Sequence, residues 1–185
     1  MIRDRSQYGE DHDLNSPSAF TPEELVSAVR VAKGVKDAAV PAVCVLDFDG
    51  DLTDWLVRHD KAAPFEPWAC FHTKMYVLET DGVRCGIIAR TIGGPYAVLI
   101  AEQLLVSGAQ LILGLTSAGR VSPSLPLPSF VVVTSAVRDE GTSFHYLPPA
   151  AAVGRCSARA SGISKRPSRR DCDRTVDKRC ATYSS

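Results

Sequence analysis

The sequence TIGGPYAVLIAEQLLVSGAQLILGLTSAGRV, from Thr91 to Val121, decides the fold of this chain. Its Gly93-Gly94-Pro95 turn predicts the start of a helix that continues to about Val106. Ser107-Gly108 predicts the end of that helix, because glycine favours a helix C-terminus whereas proline is tolerated in a first turn. The apolar run Gln110 to Leu115 then predicts a strand buried enough to be central in its sheet. A helix followed by a buried strand is typical of an α/β domain.

The flanking segments extend this pattern. Thr21, followed by Pro22 and Glu24, has the spacing of a capping box and predicts another helix start. Thr80-Asp81-Gly82 predicts a hairpin turn between two strands. The strand candidates are β-branched or aromatic runs bounded by turn residues, namely residues 41–47, 68–79, 82–90 and 130–137. The order of elements predicts an α/β fold with a mixed central sheet flanked by helices.

The 185-residue chain has no net formal charge, but its charges are unevenly distributed. Residues 1–149 hold 12 basic against 18 acidic side chains, whereas residues 150–185 hold nine against three. The last segment lacks apolar periodicity and is rich in Arg, Ser, Ala and Gly, so we expect it to be disordered. We therefore divide the chain into a loose N-terminal arm (1–20), a globular part (21–149) and a basic tail (150–185).

Composition also argues against several classes of protein. The apolar span around Ala97 to Leu115 is interrupted by polar residues and the first 20 residues contain no apolar signal core, so we expect a cytoplasmic protein with no membrane partner. The basic tail lacks interleaved aromatic residues, so nucleic-acid binding is not expected. The tail cysteines have no C-x-x-C spacing, so no metal site is expected, and the three others are interpreted as small buried hydrophobes: Cys44, Cys70 and Cys85.

The opening segment and PSFVVVTSAVRDEGTSFHYLPP (128–149) together resemble the middle of the nucleoside phosphorylase and nucleosidase family, which includes the uridine and purine nucleoside phosphorylases. The matching parts are a glycine turn with its helix, a buried strand ending in a small-residue loop, and a strand ending in VRDEGTS. The resemblance covers residues 41–149, so the chain looks like a C-terminally truncated member fused to an unrelated tail. It implies cleavage of the N-glycosidic bond of a nucleoside by pentosyl transfer to phosphate or water, with no other cofactor. It also implies a homo-oligomer, if the chain folds.

The resemblance implies a substrate site in the loop Leu115 to Gly119. Its substrate-binding residues would be Thr116, Ser117, Ala118 and Gly119, with Gly94 and His72 as further candidates. Backbone N–H groups and hydroxyls in such a loop can cradle a sugar or an anion. The serine-alanine-glycine form is similar to the nucleosidases, which use water, and Gly114 stands where phosphorylases carry a phosphate-binding arginine. The alternative for this loop is an ordinary turn after a strand, without a binding role. His145 lies in a segment that, by resemblance, approaches the base pocket or a subunit contact, and the alternative for both His72 and His145 is a structural role.

A second candidate segment is VLDFDGDLTDW, from Val45 to Trp55. By resemblance, Asp47 and Asp51 stand near the glycine and the arginine of a phosphate-binding turn. Carboxylates there oppose phosphate, since two unit charges 4 Å apart in a partly buried site interact by about 4 kcal/mol. The resemblance to nucleosidases instead implies Asp51 as a catalytic base that positions water. The alternative for this segment is an acidic, solvated turn.

Two other functions are kept as alternatives. Asp47-Phe48-Asp49-Gly50 also resembles the nucleophile motif of haloacid dehalogenase phosphatases, in which Asp47 would attack phosphorus, Asp49 would act as acid and base, and magnesium would neutralise charge. The other alternative is a non-catalytic fragment that associates with related subunits. The tail contains no Glu or Gln to grip ribose hydroxyls, so we expect the chain to be weakly active or inactive.

Overall fold

The computed structural model describes residues 16–124, 126–133, 135–137, 140–146 and 153–155. The described residues form two compact units. One runs from Pro17 to Ala118, and the other contains Ser16 and the described residues from Gly119 onward. The division falls inside the predicted substrate loop. The predicted boundary between residues 149 and 150 lies outside the described residues and stays a prediction.

The first unit is built on a five-stranded sheet with the order β2-β3-β4-β1-β5. Strand β1 pairs in parallel with β4 and with β5, whereas β3 pairs antiparallel with β4 and with β2. The predicted mixed sheet flanked by helices is therefore confirmed. The strands are β1 (Val43–Asp47), β2 (Ala63–Pro64), β3 (Met75–Thr80), β4 (Val83–Ala89) and β5 (Leu111–Leu115), and the helices are α1 (Pro22–Lys33), α2 (Asp51–Arg58) and α3 (Gly94–Val106).

The main core lies on one face of the sheet, under α3. Because strand side chains alternate, Cys44 and Leu46 of β1 point to this face, where they share a buried cluster with Ile100 and Leu104 of α3. Asp47 points to the opposite face, where α2 packs on β1 and β4. Helix α1 packs against α3. Cys44 and Cys70 are buried as predicted, while Cys85 is only half-buried.

The predicted ends of the helices and the hairpin are confirmed. In the capping box, the Glu24 amide donates to Thr21 Oγ1 at 3.2 Å and the Thr21 amide donates to Glu24 Oε2 at 2.8 Å. Helix α3 starts at Gly94 and ends at Val106. The hairpin turn has left-handed φ angles of 49° at Asp81 and 74° at Gly82. Positive φ angles at both central residues are typical of a two-residue hairpin loop.

Two predictions within the first unit were wrong. Residues 68–74 are not a strand: Trp68 and Cys70 instead bury their side chains in a loop that tight backbone turns hold together. Strand β5 is not central, because no described strand pairs with its outer edge, and its Leu111 and Leu113 are each 46% exposed. Helix α2 begins at Asp51, where the alternative interpretation of the segment was an acidic, solvated turn. Its signal was the spacing of Thr53 and Leu56, the two buried residues of the helix.

The second unit contains less regular structure in its described residues. Among the described residues of the predicted strand 130–137, Ser135–Val137 form a strand, β6, whereas Phe130 is 98% exposed. Strand β6 pairs antiparallel with β7, Val153–Arg155, which belongs to the segment expected to be disordered and forms a strand instead. His145 lies in a 3-10 turn. Residues 1–15 and 156–185 lie outside the described part of the chain.

Within the described ranges, none of the helices is long and apolar enough to span a bilayer.

The capping box makes a first prediction. Thr21→Ala removes the side-chain oxygen that accepts from the Glu24 amide, and should lower the free energy of unfolding by about 1 kcal/mol. Ser27→Ala, on the exposed middle of α1, is the matched control and should change it by less than about 0.5 kcal/mol. Urea unfolding of both variants measures the difference, and equal stability of the two would contradict the prediction.

Candidate functional site

Three loops meet at the edge of the sheet where the parallel strands β4, β1 and β5 end. They contain residues 90–93, 48–50 and 116–118. The Phe48 amide donates to the Leu115 carbonyl at 2.9 Å, and the Arg90 amide donates to the Asp47 carbonyl at 2.8 Å, so backbone pairing continues at the ends of the strands. Open α/β sheets bind ligands outside the carboxyl ends of their strands. This edge is therefore the candidate site.

The Asp47 carboxylate anchors the middle loop. It is 3% exposed and accepts three hydrogen bonds, from the Gly50 amide at 3.1 Å, the Thr53 amide at 2.8 Å and the Thr53 hydroxyl at 2.8 Å. A carboxylate at the first turn of a helix satisfies free N–H groups and favours the helix dipole. Both oxygens are thus occupied within the protein. Nothing in this arrangement supports Asp47 as the nucleophile of a phosphatase.

Gly50 is required by its backbone and by its neighbour. Its φ of +89° is left-handed, and a Cβ atom there would lie 2.9 Å from Cγ of Arg90. Arg90, which itself has a φ of 59°, forms an ion pair with Asp54. Its pKa is raised chiefly by the hydrogen bond and the charge of Asp54, and to a smaller extent by Asp47 and Asp51. The positive charge at this edge is therefore already engaged by carboxylates.

A shallow cavity of about 280 Å³ lies beside Arg90. It is formed by α2 and by the ends of β3 and β4, and it does not include Asp49 or Ser117. The loop contacts, and not this cavity, define the candidate site. The residues that line the cavity are Thr53, Asp54, Val57, Arg58, Tyr76, Ala89 and Arg90.

Asp49 links the β1 loop to the β5 loop. The Ser117 amide donates to Asp49 Oδ2, and the Thr116 hydroxyl makes a longer contact of 3.4 Å with the same atom. The bond from the Ser117 amide, followed by that from the Ser117 hydroxyl, holds the pKa of Asp49 below its ordinary value, although partial desolvation opposes the shift. From the sequence, Asp49 was assigned only to the phosphatase alternative. Its position two residues beyond β1 was the signal that it would reach a neighbouring strand end.

Phe48 covers the outer part of β5. A Cβ atom at Gly114 would lie 3.0 Å and 3.2 Å from two carbon atoms of the Phe48 ring. Any side chain at position 114 therefore requires the ring to move. An aromatic ring therefore fills the space beside this glycine.

The other predicted residues are placed less directly. Asp51 is the exposed first residue of α2, and Gly94 is the first residue of α3, so both lie at this edge. His72 is in the loop that enters β3, whose Met75 pairs with Ile88 near the end of β4. The His72 ring makes an edge-on contact with the Phe71 ring, with ring centroids 6.3 Å apart.

The structure thus brings Thr116 and Ser117 together with Asp49, which was not among the predicted substrate-binding or base residues of the main interpretation. Ala118 is the exposed third residue of the same loop, and Gly119 belongs to the other unit. The proposed roles of Asp51, Gly94 and His72 stay predictions. Within the described ranges, no three His, Cys, Asp or Glu side chains are grouped so that they could hold a metal ion.

Comparison with known proteins gives a consistent result. A family model described as the phosphorylase superfamily matches residues 41–183, a match that starts at the predicted Pro41 and extends past Pro149. The chain is 27% identical over 119 residues to a uridine phosphorylase of Treponema pallidum, and 32% identical over 76 residues to one of Thermococcus kodakarensis. These alignments cover 62% and 41% of this chain, but only 44% and 26% of the two relatives. The chain therefore spans less than half the length of these relatives.

Solved structures show the same fold. A uridine phosphorylase from Vibrio fischeri aligns with a TM-score of 0.54 at 22% identity, covering 66% of this chain and 51% of that one. A purine nucleoside phosphorylase from Toxoplasma gondii, in complex with immucillin-H, aligns with a TM-score of 0.50 at 21% identity, covering 60% and 44%. At this level of identity the likeness concerns the fold.

The packing at Gly50 makes a prediction. Gly50→Ala should lower the free energy of unfolding by roughly 2 to 4 kcal/mol, because it adds a left-handed alanine and a clash with Arg90. Gly34→Ala is the matched control, since Gly34 has a φ of +62° and open space around its Cβ position. That control should cost only about 1 kcal/mol. Urea unfolding tests both, and equal losses would contradict the packing argument.

The contacts of Asp49 make a prediction about pH. A carboxylate whose pKa is lower in the folded than in the unfolded state stabilises the fold above the unfolded pKa of about 3.9, and this stabilisation is lost as the pH falls through the folded pKa. Asp49→Asn should therefore be less stable than the wild type at pH 7, and the difference should vanish in acid. Unfolding curves across this range measure it. A difference that stays constant with pH would show that the ionised carboxylate is not responsible.

Proposed function

We propose, from the premise that this chain belongs to the phosphorylase superfamily, that its β5 loop binds the ribose of a nucleoside at a site for N-glycosidic bond cleavage. The observation that carries this proposal is the exposed run of small residues from Thr116 to Ala118 at the carboxyl end of a parallel strand. Small side chains let a ligand approach the backbone, and two hydroxyls and the N–H groups can bond to a sugar.

In the proposed reaction, the bond between the ribose C1′ atom and the base nitrogen breaks through an oxocarbenium-like transition state. The electron pair leaves with the base, which takes up a proton, and the acceptor oxygen bonds to C1′. Only groups that bind the transition state more strongly than the ground state accelerate such a step. The Ser117 hydroxyl would orient the ribose, and Asp51, exposed at the start of α2, would accept a proton from an attacking water.

The charges at the strand ends favour water over phosphate as the acceptor. Among residues 48–50, 90–93 and 116–118, Arg90 is the one basic side chain, and it is paired with Asp54. Gly114 offers no side chain, and Asp47 and Asp51 carry negative charge. A phosphate dianion placed here would meet carboxylates before it met a free cation.

The proposed site needs further groups to grip the ribose. Residues 150–185 contain three Asp but no Glu or Gln that could reach the ribose hydroxyls. We infer that the 185-residue chain binds nucleosides with little or no turnover. A second function, association with related subunits, is favoured by one observation, the exposed outer edge of β5 with Leu111 and Leu113 each 46% exposed.

A prediction about activity separates these possibilities. The purified 185-residue chain, incubated with uridine and with inosine, should release free base no faster than the buffer does, and Ser117→Ala should change nothing in this assay. Chromatography of the released base measures the rate. Clear turnover that Ser117→Ala reduces, while the exposed control Ser27→Ala does not, would refute the proposal that the chain lacks part of its site.

A prediction about the acceptor can be tested in a longer relative. A protein of this family that keeps the residues corresponding to Asp47, Asp51 and Gly114 should cleave nucleosides equally well with and without phosphate, because the phosphate ligands are replaced. The products should be free base and ribose. Strict dependence on phosphate, with ribose 1-phosphate as product, would overturn the assignment of water.

A further inference from the structure

Asp49 occupies the hydrogen-bond donors of the β5 loop. The Ser117 amide and the Thr116 hydroxyl both point to the same atom, Asp49 Oδ2. The Ser117 hydroxyl also interacts with this carboxylate, as the lowered pKa of Asp49 reflects. A backbone amide and a nearby hydroxyl that face one carboxylate oxygen form an anion-binding group, although the Thr116 hydroxyl, 3.4 Å from Asp49, also lies 3.2 Å from the Ser117 carbonyl. In this chain the bound anion is a side chain of the protein itself.

Phe48, the residue before Asp49, fills part of the space beside the end of β5. The Phe48 ring packs within 3.0 Å of the Cβ position of Gly114, so no side chain can extend from β5 there without displacing the ring. Phe48 also packs against the buried core cluster, and its amide is bonded to the Leu115 carbonyl at 2.9 Å. The contacts of Phe48 and Asp49 together hold the β1 loop against the carboxyl end of β5.

We infer that Asp49 determines the acceptor specificity of this site: its carboxylate takes the place of an inorganic phosphate on the Thr116 and Ser117 donors, and so excludes phosphate. This inference rests on the proposed function for its meaning in catalysis, because the acceptor is defined only for a ribosyl-transfer reaction. The occupancy of the donors is independent of that function and can be measured directly.

The exclusion has two physical parts. A tethered carboxylate competes at a high effective concentration, since the loop that carries it is held on both sides by bonds at Leu115 and Asp47. Its charge also repels a second anion at the same donors. Removing the side chain cancels both parts, whereas replacing the carboxylate by an amide cancels only the second.

The experiment is titration calorimetry with inorganic phosphate at constant ionic strength. Asp49→Ala should bind phosphate at least roughly tenfold more tightly than the wild type, a change equal to about 1.4 kcal/mol. The matched control is Asp49→Asn, which removes the charge but keeps a side-chain oxygen that can accept from the Ser117 amide. It should change the affinity by less than roughly threefold, or about 0.65 kcal/mol.

Each outcome decides the inference. Tight phosphate binding by Asp49→Ala alone supports it. Equal gains in Asp49→Ala and Asp49→Asn would overturn it in favour of charge alone. Equal binding by the wild type, or no binding by any variant, would show that these donors are no phosphate site. Thermal unfolding checks that each variant is folded. If Asp49→Ala is not, Asp49→Ser, whose side chain is too short to reach Ser117 in the same way, takes its place.

The same samples distinguish this inference from the proposed function. Saturation-transfer NMR with uridine and with inosine reports nucleoside binding without any need for phosphate or turnover. If no variant binds nucleosides but Asp49→Ala gains phosphate binding, the proposed function is wrong and the occupancy of the donors by Asp49 still holds. Nucleoside binding that is present without any gain in phosphate affinity would do the reverse.

Discussion

The buried Asp47 carboxylate is the interaction on which the candidate site depends. A carboxylate that is 3% exposed is costly unless its oxygens are bonded, and here the Gly50 amide, the Thr53 amide and the Thr53 hydroxyl meet that requirement. These bonds fix the turn after β1 and the first turn of α2 at once. With this geometry, the turn places Phe48 over β5 and Asp49 within hydrogen-bonding distance of Ser117.

Periodic and punctuated elements could be predicted from the sequence, whereas contacts between distant segments could not. The capping box at Thr21, the hairpin at Asp81-Gly82 and the helix from Gly94 all carry local signals, and all three are in the structure. Residues 68–74 look like a strand because they are apolar and aromatic, but Trp68 and Cys70 are buried by tertiary packing instead. Helix α2 was missed because its first turn contains the acidic residues Asp51 and Asp54, which are also typical of a solvated turn.

The site shows the same limit. Thr116 and Ser117 were predicted from the family resemblance, and they lie at the carboxyl end of β5. The residue that contacts them is Asp49, 68 positions away from Ser117 in the chain, and no local pattern connects the two. Asp51 was the nearer match to a catalytic base by alignment alone. Asp49 and Asp51 are only two residues apart, but the backbone of the turn, and not the spacing in the sequence, determines which of them faces the β5 loop.

Charge explains why the acidic loop and Arg90 coexist at one edge. Four carboxylates between Asp47 and Asp54 would repel one another, yet each of three has a partner: Asp47 the α2 amides, Asp49 the β5 loop, and Asp54 the Arg90 guanidinium. Asp51 remains exposed, with its charge felt at Arg90. A loop that satisfies its own negative charges in this way has few donors left for an external anion. An uncharged ligand such as a sugar does not meet that electrostatic barrier, because its hydroxyls can donate to the Asp49 carboxylate as well as accept.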